Sequence, residues 1–339
     1  MNAAAKQAPR SKRLQNAWEK FIPEASLISN GNMALNIQFD SSIGVPPAIS
    51  YLTNKYGKQM EADGIRDGKG FVGVVNYAVN GKNVDLICRP VTYFEHRSTD
   101  LSFIKGPLSE EHAIWVGAQA KKSDSNGFIP SFSNLLGMDV LVVCKSDDGK
   151  GELAVFQVRS NKVIARHGML MGSASGGLTL GDASLLSEES MVALSRLQGD
   201  MEDGKRHNNK ITSRPSTDHA INIYNTCASE LQQELNLKAE ELTSLKLRGY
   251  IHNKSESDPD ALFVATTDLT ESEIRAKSAS GVDNYEYDRL LFEEFPISGS
   301  RLHEIRDNMS PQSRSVYFLS LLRIYGEDGG LDIMEQHLS

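Results

Sequence analysis

Apolar residues recur at three- and four-residue steps in one stretch of the chain, residues 217–237. The apolar positions in this stretch are Tyr224, Cys227, Ala228, Leu231 and Leu235. This spacing puts them on one face of an α-helix, which we expect to pack against a hydrophobic core. Thr217 or Asp218 can cap the start of the helix, and Asn236 can take the left-handed conformation that ends it.

Two β-hairpins are predicted by apolar runs joined through turn residues. The first joins residues 71–79 to residues 84–88 through Asn80-Gly81, a dipeptide typical of tight hairpins. The second joins residues 138–144 to residues 152–159 through a glycine-rich turn. Both hairpins indicate antiparallel sheet.

The other apolar patterns predict a mixture of helices and strands. Helices are expected at 14–21, 47–56, 184–197 and 312–325, and strands at 25–39, 242–251 and 261–266. Residues 282–295 fit a strand or a loop. The glycines of residues 172–177, Gly176 and Gly177 among them, predict a loop whose backbone amides could approach a phosphate, although from the glycines alone an ordinary tight exit from a strand is favoured.

Three polar residues of the 217–237 helix fall at positions i, i+3 and i+4, namely Glu230, Gln233 and Glu234. They should therefore lie side by side, and the two carboxylates should repel each other unless a cation, a donor or water separates them. A divalent metal such as Mg²⁺ is one solution. From the pattern alone, an ordinary solvated helix face is favoured over a metal site.

Residues 228–237 resemble the end of the Nudix box, whose full pattern is G-x5-E-x7-R-E-U-x-E-E-x-G-U with U an aliphatic residue. Glu230 and Leu231 match the Glu and the aliphatic residue that follow the Arg, and Glu234 matches the second Glu of the Glu-Glu pair. The chain departs from the pattern at five positions: Ser229 replaces the Arg, Gln233 the first Glu of the pair, Asn236 the late Gly, Ile221 the early Glu and Pro215 the early Gly.

The resemblance implies an α/β fold, a Nudix-type α/β/α sandwich with a mixed sheet, preceded by a smaller α+β N-terminal region. We expect a flexible basic tail at 1–15, the N-terminal region at 16–134 and the Nudix-like domain at 135–339. A long insert at about 183–216 would be a lid, a dimer contact or a disordered loop. A homodimer is accordingly one candidate assembly.

The resemblance also implies a site. Glu230 and Glu234 would bind Mg²⁺ or Mn²⁺, Gly176 and Gly177 would contact the substrate, and Glu230 and Glu286 would be catalytic. The implied function is metal-dependent hydrolysis of a nucleoside diphosphate linked to another moiety. The alternative is a Nudix-fold protein that binds a nucleotide with little or no turnover. The departures at Ser229 and Gln233 favour that alternative, and hydrolysis is preferred narrowly.

The composition of the chain limits the classes of partner that it is expected to bind. The 339 residues carry a formal net charge of −8, which disfavours nucleic acid as the main partner but is compatible with a small anionic ligand. No apolar run approaches the ~20 residues of a membrane span, so no membrane association is expected. Cys88, Cys144 and Cys227 are widely spaced and have apolar neighbours, which predicts reduced thiols and a cytoplasmic protein.

Overall fold

The structure is a computed structural model and describes residues 12–31, 33–62, 70–162, 166–199, 221–254 and 256–338. The strands within these residues are β1 (Ala25–Asn30), β2 (Leu35–Phe39), β3 (Phe71–Asn80), β4 (Asn83–Val91), β5 (Gly137–Lys145), β6 (Glu152–Arg159), β7 (Leu170–Met171), β8 (Ala174–Gly177), β9 (Leu242–Asn253), β10 (Asp258–Thr270) and β11 (Tyr287–Glu294). The helices are α1 (Lys12–Phe21), α2 (Pro47–Ala62), α3 (Tyr93–Ser98), α4 (Ser102–Lys105), α5 (Glu110–Ala120), α6 (Glu188–Gly199), α7 (Ile223–Leu235), α8 (Glu271–Ser278), α9 (Gly299–Arg306) and α10 (Pro311–Leu338), the last interrupted at Gly326.

An eight-stranded mixed sheet is the centre of the fold. Its main order is β1-β9-β10-β5-β6-β11, with β7 added beside β6 and β8 beside β5. The β10–β5 pair is parallel, and the other pairs of this sheet are antiparallel. The expected α/β class with a mixed sheet is therefore confirmed.

Helices pack on both faces of this sheet. Successive side chains of a strand point to opposite faces, so alternate residues of one strand belong to different cores. Leu141 and Val143 of β5 share a core with residues of α1 and α10. Val140 and Val142 of the same strand share a second core with residues of α7. Helix α7 is thus fixed on one side of the central strands.

The α7 helix confirms the predicted apolar face, since all five apolar positions named above are buried. Asn236 ends the helix in the left-handed region, with φ 51° and ψ 33°. The start is capped by Asn222, whose side chain accepts a hydrogen bond of 3.0 Å from the Tyr224 amide. The predicted caps Thr217 and Asp218 lie outside the described residues.

Both predicted hairpins are confirmed, as β3–β4 and β5–β6. Strands β2, β4 and β3 form a separate three-stranded sheet. Strand β1, in contrast, pairs with β9 of the large sheet, and α1 packs on α10. The division at 134/135 stays a prediction.

The two segments predicted to lie outside the core are described in part. Helix α1 begins at Lys12, so the last residues of the predicted 1–15 tail are helical. The 183–216 insert contains α6, which confirms the helix predicted at 184–197. Its residues 200–216 lie outside the described part of the chain. None of the described helices combines the length and the apolar character that crossing a membrane requires.

Gly73 lies where β3 meets the loop before β5. A Cβ at this position would lie 2.2 Å from the Ser133 carbonyl oxygen and 2.5 Å from Val91 Cγ1. We expect Gly73→Ala to lower the free energy of unfolding by about 1–3 kcal/mol, the usual cost of overpacking. Denaturant unfolding measures this, with Gly44→Ala as the matched control because a Cβ at Gly44 meets nothing within 4 Å. Equal unfolding midpoints for the two variants would show that the close approach at Gly73 is relaxed in solution.

Candidate functional site

Glu234 does not lie on a solvated helix face. Its side chain is fully buried, while those of Glu230 and Gln233 are partly exposed. Gln157 Nε2 on β6 donates to Glu234 Oε2 at 2.6 Å, and the Ser175 amide on β8 donates to Oε1 at 3.3 Å. The polar row read from the sequence is therefore split, with Glu234 turned under the helix towards the sheet.

Gly176 and Gly177 lie in strand β8 and not in a loop, so that expectation was wrong. They pair with Met138 and Gly137 of β5. Glycine is required here by close packing. A Cβ on Gly176 would lie 2.3 Å from Glu230 Oε1, and one on Gly177 would lie 2.8 Å from a methyl carbon of Leu135. Gly176 thus lets the Glu230 carboxylate lie directly against the strand.

Glu286 lies just before β11, at the end of the short 3₁₀ helix Asn284–Glu286. Its Oε2 is 3.3 Å from Nη1 of Arg159, the last residue of β6. Burial raises the pKa of Glu286, while the Arg159 charge opposes this effect. The Ser160 amide donates to the Glu286 carbonyl at 2.9 Å, which fixes this turn beside the end of β6.

Glu234 and Glu286 influence each other. Burial, followed by the nearby Glu286 carboxylate, raises the pKa of Glu234 to about 8, although the hydrogen bond from Gln157 works in the opposite direction. The fold therefore places the five sequence-predicted site residues in two groups linked by α7: Glu230 lies against Gly176 on β8, with Gly177 next in that strand, and Glu234 lies near Glu286. We call Glu230, Glu234 and Glu286 the glutamate cluster.

The donor chemistry of the glutamate cluster fits a hard divalent cation, because carboxylate oxygens are the ligands that such ions prefer. Arg159 pairs with Glu286 and also acts on Glu234. The carboxylate oxygens of the glutamate cluster are too far apart in this structure for all three side chains to bind one ion. Among the described residues, the three-residue group whose ligand atoms lie within 4.8 Å of one another is a different one, His96, Asp100 and Asp258. Sharing one ion would require side-chain rotations of Glu230 or Glu286, both of which are partly exposed.

Sequence reasoning missed three residues that hold this site, Gln157, Arg159 and Ser175. A usable signal existed for Gln157, which interrupts the apolar run of β6 at a position facing α7. A polar residue at an inward strand position needs a buried partner, because an unpaired buried amide is costly. Nothing in the local pattern indicated that this partner would be Glu234.

A second group of charges is buried where α3 meets the start of β10. The His96 ring lies with Nδ1 3.2 Å from Asp100 Oδ2. Burial raises the pKa of Asp258 to about 7, that of Asp260 to about 6 and that of Asp139 to about 8. None of these residues was among the site residues predicted from the sequence.

Comparisons with known proteins give little further information. No family model matches the chain, and no curated protein matches it. The crystal structure of DR0079 from Deinococcus radiodurans aligns with 55% of this chain and 81% of its own, at 10% identity and a TM-score of 0.30. That of a MutT/nudix family protein from Enterococcus faecalis aligns with 70% of this chain and 90% of its own, at 7% identity and a TM-score of 0.22. Likenesses at this level do not establish the family of this chain.

Proposed function

We propose that this chain is a Nudix-type, metal-dependent hydrolase of a nucleoside diphosphate linked to another moiety. The observation that carries the proposal is the glutamate cluster. Glu230 and Glu234 of α7 and Glu286, which is distant in sequence, lie together with Arg159 beside the glycine strand β8. The Nudix-type α/β/α sandwich is part of the same proposal, supported by the helices on both faces of the mixed sheet.

Each residue of the site has a distinct task in this proposal. Glu230 and Glu234 would hold Mg²⁺ or Mn²⁺, which would neutralise diphosphate charge and favour attack by water at phosphorus. Glu286 would accept the proton of the attacking water, and its raised pKa makes it a stronger base than an ordinary carboxylate. Arg159 orients Glu286 through their ion pair. Gly176 and Gly177 would contact the diphosphate through their backbone once the Glu230 carboxylate, which now lies against Gly176, has rotated towards the metal.

The alternative is a protein that binds the nucleotide diphosphate without turning it over. Three hydrogen bonds favour it. Gln233 Nε2 donates to Ser229 Oγ at 2.8 Å, so these two departures from the Nudix box are bonded to each other within the helix. Both oxygens of Glu234 already accept hydrogen bonds from the protein. Metal binding would therefore compete with existing partners and depend more on the ligand.

Replacing Glu230 by glutamine tests the metal site. We expect Mn²⁺ together with a nucleotide-sugar diphosphate to raise the melting temperature of the unmodified protein. A ligand at a hundredfold excess over its Kd stabilises the folded state by about 2.7 kcal/mol. Glu230→Gln should abolish this increment, because it removes a carboxylate donor. Glu294→Gln is the matched control, since Glu294 is exposed on β11 and the charge change is the same.

Turnover is measured separately, as phosphate released by a phosphatase after incubation with a set of dinucleotide and nucleotide-sugar diphosphates. A hydrolase releases product in the unmodified protein and loses most of the rate in Glu230→Gln. Stabilisation by ligand without product would support the alternative. If no diphosphate shifts the melting curve with Mg²⁺ or Mn²⁺, both ligand-based functions are wrong.

We also propose that the protein is cytoplasmic. Cys88, Cys144 and Cys227 are all buried and free, an arrangement that suits a reducing compartment such as the cytoplasm.

A further inference from the structure

His96, Asp100 and Asp258 form a compact group, which we call the His-Asp-Asp triad. His96 lies on α3, Asp100 two residues after its last residue, and Asp258 is the first residue of β10. One ligand atom from each residue lies within 4.8 Å of the other two. His96 and Asp100 are neighbours in sequence, whereas Asp258 is brought to them only by the fold.

The triad has acceptor atoms that the protein leaves unused. Asp100 is fully buried, and its Oδ2 accepts hydrogen bonds from Ser133 Oγ and from the Leu135 amide. Its Oδ1 has no hydrogen-bond partner among the described residues, and the same holds for Oδ1 of Asp258. Buried carboxylate oxygens without donors are costly, since each has lost its water.

Arg166, whose charge acts on His96, Asp258 and Asp260, is already paired. Its Nε donates to Glu256 Oε1 at 3.3 Å, and its Nη2 forms an ion pair with the same carboxylate. Asp260, on the same strand as Asp258, adds a further negative charge, and its Oδ2 accepts a hydrogen bond from the neutral Gln312 amide at 3.0 Å. The neighbourhood of the triad therefore has more carboxylates than cations.

We propose that the His-Asp-Asp triad binds one divalent transition-metal ion, of the Mn²⁺ or Zn²⁺ class. One imidazole nitrogen and two carboxylate oxygens form a mixed donor set, whereas Mg²⁺ and Ca²⁺ prefer oxygen alone. The two aspartate oxygens without a hydrogen-bond partner would serve as ligands to the ion. The ion would link α3 to β10 and so tie the N-terminal region to the large sheet. This site is separate from the glutamate cluster and does not depend on the proposed hydrolase function.

Mn²⁺ alone, added to the full chain without nucleotide, is the probe. Electron spin-echo envelope modulation detects an imidazole nitrogen bound to Mn²⁺, a signature that a site made only of glutamates cannot give. We expect nitrogen coupling and about one tightly bound Mn²⁺ per chain. His96→Gln should remove the coupling and weaken binding at least about 10-fold, as loss of even a supporting residue commonly does. Glu230→Gln should leave the coupling unchanged.

Two further variants control for folding. His112→Gln is the matched histidine control. His112 is also buried near α3, but its Nδ1 accepts from the Leu108 amide and its Nε2 lies 2.8 Å from the Ser98 carbonyl, so it has no free nitrogen for a metal. Coupling should persist in this variant. Asp258→Asn keeps the size of the side chain and should weaken Mn²⁺ binding by a similar factor, which decides the question if His96→Gln does not fold.

Three results would overturn the proposal. The first is the absence of any binding of Mn²⁺ or Zn²⁺ in calorimetry. The second is bound Mn²⁺ without nitrogen coupling, which would place the ion at carboxylates alone. The third is coupling that survives in His96→Gln, which would place the ion at another histidine. In each case His96 and Asp100 would form only an ion pair.

Discussion

Replacement of Leu231 by aspartate is expected to unfold the protein at room temperature or to leave it barely stable. Leu231 is fully buried in α7 and belongs to the core on that side of the sheet. The substitution removes a buried apolar side chain and places a carboxylate in its site, which costs several kcal/mol. Native domains have only about 5–15 kcal/mol of stability in total.

The matched control for Leu231→Asp is Gln233→Asp, two residues further along the same helix on a partly exposed position. Both variants introduce the same residue into α7, so they share the loss of helix propensity and differ in burial. Circular dichroism and thermal melting should show a folded control and a largely unfolded Leu231 variant. Similar melting temperatures would mean that the two faces of α7 have been exchanged.

Asp139→Asn is expected to stabilise the protein, by an amount that grows with pH. Asp139 is buried on β5, at 1% exposure. Burial, together with the Asp260 carboxylate, raises its pKa from an ordinary value of 3.8 to about 8. Ionising this side chain in the folded protein is therefore unfavourable, and asparagine avoids that cost while keeping the shape.

The direction of the pH effect follows from the raised pKa. In the unfolded chain Asp139 loses its proton near pH 4, whereas in the folded protein it keeps it until about pH 8. Its contribution to stability is fully present below pH 4 and is lost as the pH rises to about 8, by at most about 1.4 kcal/mol per pH unit. The difference in melting temperature between Asp139→Asn and the unmodified protein should accordingly be small at pH 5 and larger at pH 8. A difference that does not change with pH would show that Asp139 is already ionised in the folded state.

The sequence predicted features whose cause is local. The face of α7 could be read because a helix repeats every 3.6 residues, and Asn236 could be read as its end because asparagine tolerates the left-handed conformation. The two hairpins were predictable because their turns are also determined by local residues. Their turns contain Gly81 and Gly149, both of which have positive φ.

Features that depend on a distant partner were not predictable. The burial of Glu234 is decided by Gln157, a residue of another strand that meets α7 only in the finished fold. The glycines of β8 were read as a loop because glycine suits both turns and close packing, and only the position of Glu230 distinguishes the two. Asp258 could not be associated with His96 at all, since neither residue carries a pattern that points to the other.

The pairing of β1 with β9 has a consequence for the order in which the protein can form during synthesis. Ala25 pairs with Asn253, and Arg13 of α1 forms an ion pair with Glu335 of α10. Strand β1 must therefore wait until β9 has been synthesised before it finds its neighbour. Until then the hydrogen-bonding edge of β1 and the apolar side of α1 lack their native partners, and such unpaired edges and apolar surfaces favour aggregation of a nascent chain.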